Sequence, residues 1–350
     1  MTIYISGGSN CVLKTGWAPL FIEILAKRGV VAKNISVAAS NSLMGFYRLN
    51  RAADLTADDV VIWGYSTGDE TCFTKFRHKL NDLLRAVERN IIFCRDKGAR
   101  FVPLIVKTAE SERSSSPYFD AVTRLLSHYN LKTYDISAEF CRAHNLAFLD
   151  ASHFHDGYHY NPHGEVVTFV AQTLGTFIDT VGPVPDVAPL YAKTGKLVVR
   201  SDFTGARRED FTNSVLSVPV YSPDDVWMSL PPFENSGRVA AIIVKAMETG
   251  GGMLLRLGPQ ELKMSLSDHL IGHRPALRSF SLAPFSKDSF VYKAGDVLQM
   301  RFLTKPSGMQ WDYHFSSQAP DGSRDGRVVS VLCEDDLPRR MWGLFNWLRP

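Results

Sequence analysis

The sequence predicts an α/β unit built on a parallel sheet, followed by a second, β-rich unit. Three observations carry this expectation. In the first half, short apolar runs alternate with longer stretches whose apolar residues recur at three- and four-residue spacing. Gly182-Pro183-Val184-Pro185-Asp186 then interrupts the pattern. Beyond about Lys196, many short β-type runs follow one another between turn signals.

Taken in order, the first-half strands are expected at Ile3–Ser6, Asn34–Ala38, Val60–Trp63 and Arg100–Val106, with a weaker one near Leu146–Leu149. The stretch Phe73–Lys97 reads as amphipathic helix. A further helix, Glu165–Val181, starts after Asn161-Pro162 and stops at Gly182-Pro183. Strands alternating with helices imply βαβ units and a parallel sheet covered on both faces. The second half offers strands at Leu197–Val199, Ser214–Val220, Val239–Met247, Met253–Leu257, Val297–Leu303 and Val328–Leu332. Turns at Ser222-Pro223-Asp224-Asp225, Gly250-Gly251-Gly252 and Pro320-Asp321-Gly322 separate them, the spacing of an antiparallel sandwich. The division expected is therefore residues 1–182, a linker 183–195, and a β-rich accessory domain 196–350. The aromatic segment Met341–Leu348 at its end is read as docking on the body of the protein, or else as an exposed patch for a partner or membrane.

Composition bounds the function. The 350 residues suit about two domains, and 45% hydrophobic content suits folded cores. A net charge of +3 gives no polyanion-binding surface, so nucleic acid is not an expected partner. Cys11, Cys72, Cys94, Cys141 and Cys333 lack CxxC spacing and suit free thiols in a reducing compartment. With no basic leader and no apolar run of ~18 residues, the expectation is a cytoplasmic protein without a transmembrane segment. Oligomeric state is not legible.

The chemistry concentrates in two stretches. Thr2-Ile-Tyr-Ile-Ser-Gly-Gly-Ser9 is a strand ending at a serine behind two glycines, at the strand end where parallel sheets gather ligands. A helix beginning after Gly16 would bring favourable N-terminal dipole nearby. A serine nucleophile needs a base and an orienter for it. Asp156-Gly157-Tyr158-His159 supplies both, because a carboxylate three residues before a histidine on a turn can reach Nδ1 and leave Nε2 free.

These two blocks, Gly7-Gly8-Ser9-Asn10 and Asp156-Gly157-Tyr158-His159-Tyr160-Asn161-Pro162-His163-Gly164, resemble the first and last blocks of the GDSL-type, or SGNH, serine hydrolases. The resemblance covers roughly residues 1–182. It implies a flavodoxin-like α/β/α sandwich and esterase, lipase, carbohydrate deacetylase or acyltransferase chemistry. By position it implies Ser9 as nucleophile, His159 as general base and Asp156 as orienter. Gly8 stands where the family usually has Asp.

The middle blocks depart further. For the family's oxyanion glycine the match is Ala39 or Ser40, whose backbone N–H would join that of Ser9 in an oxyanion hole. The family's third-block Asn falls on Gly68 if Asp69 is matched, or on Ser66 or Thr67 if Gly64 is matched; none of these is Asn. Asn41 or Asn10 is the expected replacement, with Ser66 or Thr67 behind them. One missing donor of this kind typically costs ~10²–10³ in rate.

Other features have competing readings. His153, His155, Asp156, His159 and His163 are of metal-ligating type, but a metal leaves Gly7-Gly8-Ser9 unexplained, and none is expected. Cys11 reads as a buried thiol rather than a nucleophile. Asp69-Glu70 reads as favouring a helix macrodipole, Arg48 and Arg51 as solvated helix residues, and Trp63 and Tyr65 as core packing or a sugar platform. The functional expectation is acyl-ester chemistry on a carbohydrate or other small ester: hydrolysis, or transfer to a sugar with acetyl-CoA as possible donor. No other cofactor is expected. The alternative is an inactive glycan-binding or scaffold protein.

Overall fold

A computed structural model of the chain describes residues 1–52, 54–114, 116–193, 195–213, 216–223, 227–268, 274–282, 290–303, 308–309, 315 and 323–335. It divides into two compact units, Met1–Ala192 and Lys193–Pro350.

The first unit follows the βαβ logic of its sequence. Its strands are β1 (Thr2–Gly7), β2 (Val31–Asn34), β3 (Val60–Gly64), β4 (Arg100–Ile105) and β5 (Tyr134–Asp135). The helices are α1 (Trp17–Lys27), α2 (Ser42–Ala52), α3 (Ser66–Phe76), α4 (Leu80–Asp96), α5 (Pro117–His128), α6 (Ile136–His144) and α7 (Glu165–Ile178). All strand pairs are parallel, in the order β2-β1-β3-β4-β5. This is the flavodoxin-like order, whose direction of winding reverses between β1 and β3 and so opens a crevice at their carboxyl ends.

Alternate strand residues face opposite layers. Ile3 and Ile5 of β1, Val60 and Ile62 of β3, and Val102 and Leu104 of β4 pack with Phe21 of α1 and Val170 and Leu174 of α7. On the other face Trp63 Nε1 donates to Ser42 Oγ at the start of α2, 3.0 Å away. There α2 meets α4 through Phe46 and Phe93, edge to face at 5.7 Å. The sandwich is thus α/β/α.

Several elements differ from expectation. The second strand is β2, Val31–Asn34, not Asn34–Ala38. Beyond Asn34 the chain still tracks β1, with Ile35 N–H on Ile5 O and Val37 N–H on Gly7 O, but the Ser36 hydroxyl inserts between Gly7 N and Ile5 O and ends the regular ladder. Leu146–Leu149 forms no strand; the fifth strand is the two-residue β5. The helix expected over Phe73–Lys97 is two helices, α3 and α4, parted where Arg77 turns left-handed at φ 57°.

Residues beyond α7 are fastened to the same unit. The Glu88 carboxylate, fully buried on α4, accepts the N–H groups of Leu190 (2.7 Å), Tyr191 (2.7 Å) and Ala192 (2.5 Å), and the Tyr129 hydroxyl at 3.0 Å. Arg85 Nε donates to Tyr191 O, and His128 Nε2 lies 2.8 Å from Ala188 O.

The second unit is antiparallel. Its strands are β6 (Lys196–Arg200), β7 (Ala206–Thr212), β8 (Ser217–Pro223), β9 (Met228–Ser229), β10 (Gly237–Ala246), β11 (Gly252–Leu257), β12 (Gln260–Ser265), β13 (Ala276–Ser281), β14 (Val291–Tyr292), β15 (Leu298–Phe302) and β16 (Arg327–Asp335). One sheet runs β13-β10-β16-β8-β7, with β14 on β10 and β6 on β16; the other runs β12-β11-β15-β9. Ile242, Val244 and Val331 of the first sheet share a core with Met253, Leu255 and Met300 of the second. Residues 214–215 and 224–225, the turn 320–322 and the aromatic segment 341–348 lie outside the described residues. Among the described residues, no helix is long and apolar enough to cross a membrane.

Candidate active site

Ser9 follows β1 directly, at the crevice between β1 and β3. Gly7 has to be glycine, since a Cβ there would lie 2.4 Å from Cys11 Sγ. Gly8 N–H crosses to Gly64 O on β3 at 3.0 Å, and the chain then makes a single 3₁₀ turn at Ser9–Cys11. This turn lifts Ser9 out of the sheet.

The partners come from the loop before α7. Asp156 Oδ1 accepts the N–H groups of Tyr158 (2.7 Å) and His159 (2.8 Å), while Oδ2 lies 2.8 Å from His159 Nδ1. With Nδ1–H directed to the carboxylate, Nε2 carries the lone pair and accepts the Ser9 hydroxyl at 2.7 Å. Burial opposes ionisation of Asp156, but the bonds from His159 and Tyr158 outweigh it and hold the carboxyl below its ordinary range. The structure therefore brings together Ser9, His159 and Asp156, the nucleophile, base and orienter expected from the sequence.

Asn10 does something the sequence did not announce. Its Nδ2 donates to Tyr158 O at 2.9 Å, and its Oδ1 accepts Tyr160 N–H at 3.2 Å. The residue after the serine thus grips the chain on both sides of His159. That amide is committed to the backbone, so Asn10 sits as a positioning residue rather than as an oxyanion donor.

The other oxyanion candidates separate into backbone and side chain. Ala39 is left-handed, φ 50°, a conformation that favours glycine and that non-glycine residues adopt mostly at constrained sites. The backbone N–H groups of Ser9, Ala39 and Ser40 find no acceptor among the described residues. Asn41 is buried; its Oδ1 accepts Leu43 N–H at the start of α2 and its Nδ2 lies 3.7 Å from Cys72 Sγ. The Ser66 and Thr67 hydroxyls both donate to Val106 O, at 2.9 and 2.8 Å. At Gly68 a Cβ would fall 2.0 Å from Ser40 O. An asparagine has no room there, which accounts physically for its absence.

The remaining readings fall out differently: the solvated reading of Arg48 is corrected, and those of Asp69, Trp63 and Tyr65 are narrowed. Asp69 stands in the first turn of α3, as the macrodipole reading requires; it is also fully buried and accepts Ser42 N–H (2.9 Å), Ser42 Oγ–H (2.5 Å) and the Tyr118 hydroxyl (3.1 Å). Burial pushes its carboxyl up to about 6 in spite of those bonds. Arg48 is buried rather than solvated, with Nε donating to Ile35 O at 3.0 Å. Trp63 and Tyr65 are fully buried core residues, not a sugar platform. Arg51 is exposed. Cys11 is buried, which pushes its thiol up to about 12, far from a thiolate nucleophile. Among the described residues no three His, Cys, Asp or Glu side chains, His155 and His163 included, converge as a metal site.

A doubly wound sheet with a serine after its first strand and an Asp-x-x-His turn before its last helix gives the first unit the flavodoxin-like α/β/α fold that the SGNH/GDSL resemblance implies. No family model and no curated protein matches the sequence. Among solved structures, a two-domain esterase active on acetylated mannans is similar over both units, with 14% identity, 96% of this chain and 92% of that one covered, and a TM-score of 0.61. An acetyl xylan esterase matches with 14% identity, 51% of this chain and 100% of that one, TM-score 0.42. TesA matches with 17% identity, 50% and 99%, TM-score 0.35.

Proposed function

We propose that this protein is a serine-dependent carboxylic-ester hydrolase that removes short acyl groups, acetyl foremost, from carbohydrate. The observation that carries the reading is the hydrogen-bonded series Ser9 Oγ–His159 Nε2 and His159 Nδ1–Asp156. Ser9 Oγ attacks the ester carbonyl as its proton passes to His159. The imidazolium is stabilised by Asp156 and returns the proton to the departing sugar oxygen as the carbonyl–oxygen bond breaks. Water, deprotonated by the same imidazole, then cleaves the acyl–Ser9 bond and releases the acid. Backbone N–H groups of Ser9 and of Ala39 or Ser40 meet the oxyanion as its two preorganised donors.

The preference for carbohydrate is supported by the likeness to the mannan-active esterase across both units. The five cysteines are buried and form no disulfide among the described residues, which supports a reducing, cytoplasmic setting. Transfer of the acyl group to a sugar, with acetyl-CoA as donor, requires only that the acceptor displace water in the second step.

Intact-protein mass after exposure to a fluorophosphonate tests the reading. One adduct is expected on the wild type and none on Ser9→Ala. A folded wild type that takes no adduct would instead favour a glycan-binding or scaffold role.

A further inference from the structure

Beside the triad loop the first unit has a cleft of about 340 Å³, within the usual range of small-molecule sites. Thr71, Thr74 and Lys75 line it from one face of α3, as their three- and four-residue spacing requires. Glu110 and Ser111 line it from the loop after β4. Gly157 and Tyr158 also line it, and these are the two residues enclosed between Asp156 and His159. The wall of the cleft and the turn that aims the imidazole are therefore one piece of chain. Ala109 N–H donates to Gly157 O at 3.0 Å and ties the β4 loop to that turn. Lys75 Nζ hydrogen-bonds the Tyr158 hydroxyl and lies 4.7 Å from the centre of its ring.

The lining discriminates among occupants. An aliphatic acyl chain would strip water from these hydroxyls and charges without offering them partners, which is unfavourable. A uronate or phosphate would meet the carboxylates of Glu70 and Glu110, while Lys75, the cation of the lining, is already engaged by Tyr158. A neutral sugar ring brings donors and acceptors on every side and no charge. Resting on the hydrolase reading above, we infer that this cleft is the subsite for the alcohol side of the ester, that it takes a neutral pyranosyl unit, and that Lys75, Tyr158 and Glu110 set this specificity.

The test compares steady-state kinetics on a neutral acetylated manno-oligosaccharide and on 4-nitrophenyl acetate. In Lys75→Met the ratio of the two kcat/KM values is expected to fall about tenfold, with the change in KM for the oligosaccharide. Tyr158→Phe, which removes only the hydroxyl, should lower the ratio in the same direction. Glu110→Lys should raise turnover of an acetylated, glucuronate-bearing oligosaccharide relative to the neutral one. An unchanged ratio in the first two variants, a parallel loss on both substrates, or an unmoved charge preference in the third would overturn the subsite while leaving the hydrolase reading intact. A wild type without Ser9-dependent turnover of 4-nitrophenyl acetate would sink the hydrolase reading, and the subsite with it.

Discussion

The loop before α7 makes an Asp-x-x-His turn twice. In the first, Asp150 Oδ1 accepts Ser152 N–H at 2.9 Å and lies 2.9 Å from His153 Nδ1. In the second, Asp156 does the same for Tyr158 N–H and His159 Nδ1. Local bonds hold both carboxyls below their ordinary range: those from Ser152 and His153 for Asp150, and those from His159 and Tyr158, against burial, for Asp156. What differs is the far side of the ring. His159 Nε2 meets Ser9 Oγ, whereas the His153 ring packs edge-on to Phe140 at 5.6 Å, and among the described residues no hydroxyl bonds its Nε2. An oriented imidazole is therefore cheap, a property of one short turn. Only the second turn is gripped by Asn10, and only it receives a serine from the opposite end of the unit.

The two turns are best separated by paired substitutions. His159→Ala is expected to lower kcat on 4-nitrophenyl acetate by ~10⁴-fold or more, and His153→Ala to leave it within about threefold. Equal losses would mean that the turn, not the serine contact, decides the activity. A smaller effect is expected one residue type back. Asp156→Asn should cost about 10²–10⁴-fold in kcat. Asp150→Asn should instead leave both turnover and the urea midpoint close to wild type, because an asparagine side-chain oxygen caps Ser152 N–H about as well as an aspartate does.

A separate effect, on stability rather than turnover, concerns Asp69, which braces the Ser42 end of the Ala39–Asn41 turn without touching either histidine of the two turns. Its folded carboxyl stands at about 6 against an ordinary 3.8. A carboxyl raised in this way contributes stability that is fully present below the unfolded value and lost as pH rises through the folded one. Urea unfolding between about pH 4 and pH 7 should show the wild type losing ~2–3 kcal/mol relative to Asp69→Asn. Parallel curves would mean that Asp69 is ionised throughout that range.

How far the sequence reaches follows the same division between local and distant causes. The juxtaposition of Ser9, His159 and Asp156 was legible because each half of it is a short-range pattern, a strand stopping at Gly-Gly-Ser and an acid three residues before a histidine. Most strands of the second unit were legible to within a few residues for the same reason. The break between α3 and α4 was not, because Arg77 takes the left-handed conformation without the glycine or proline that usually announces it. The two residues of β5 are too few to show a period. The emptiness of position 68 depends on Ser40 O approaching from another loop, and the burial of Arg48 on a carbonyl at Ile35. Asn10 looked like an oxyanion donor because it is adjacent to Ser9; its partners lie at Tyr158 and Tyr160, and only the fold brings them within reach.

The grip of Glu88 on Leu190, Tyr191 and Ala192 bears on where this molecule can be cut. A chain stopped just after α7, where Gly182-Pro183 suggests a seam, would strand an anion in the interior with its three amide donors removed. Among the described residues only the Tyr129 hydroxyl would remain to it, and each lost hydrogen bond to a charged group costs about 1.5–3 kcal/mol, a large part of what an ordinary domain has in reserve. The smallest excisable piece holding the first unit therefore extends through Ala192, so that the chain leading to the second unit is, for its first part, the last turn of the lock on the first.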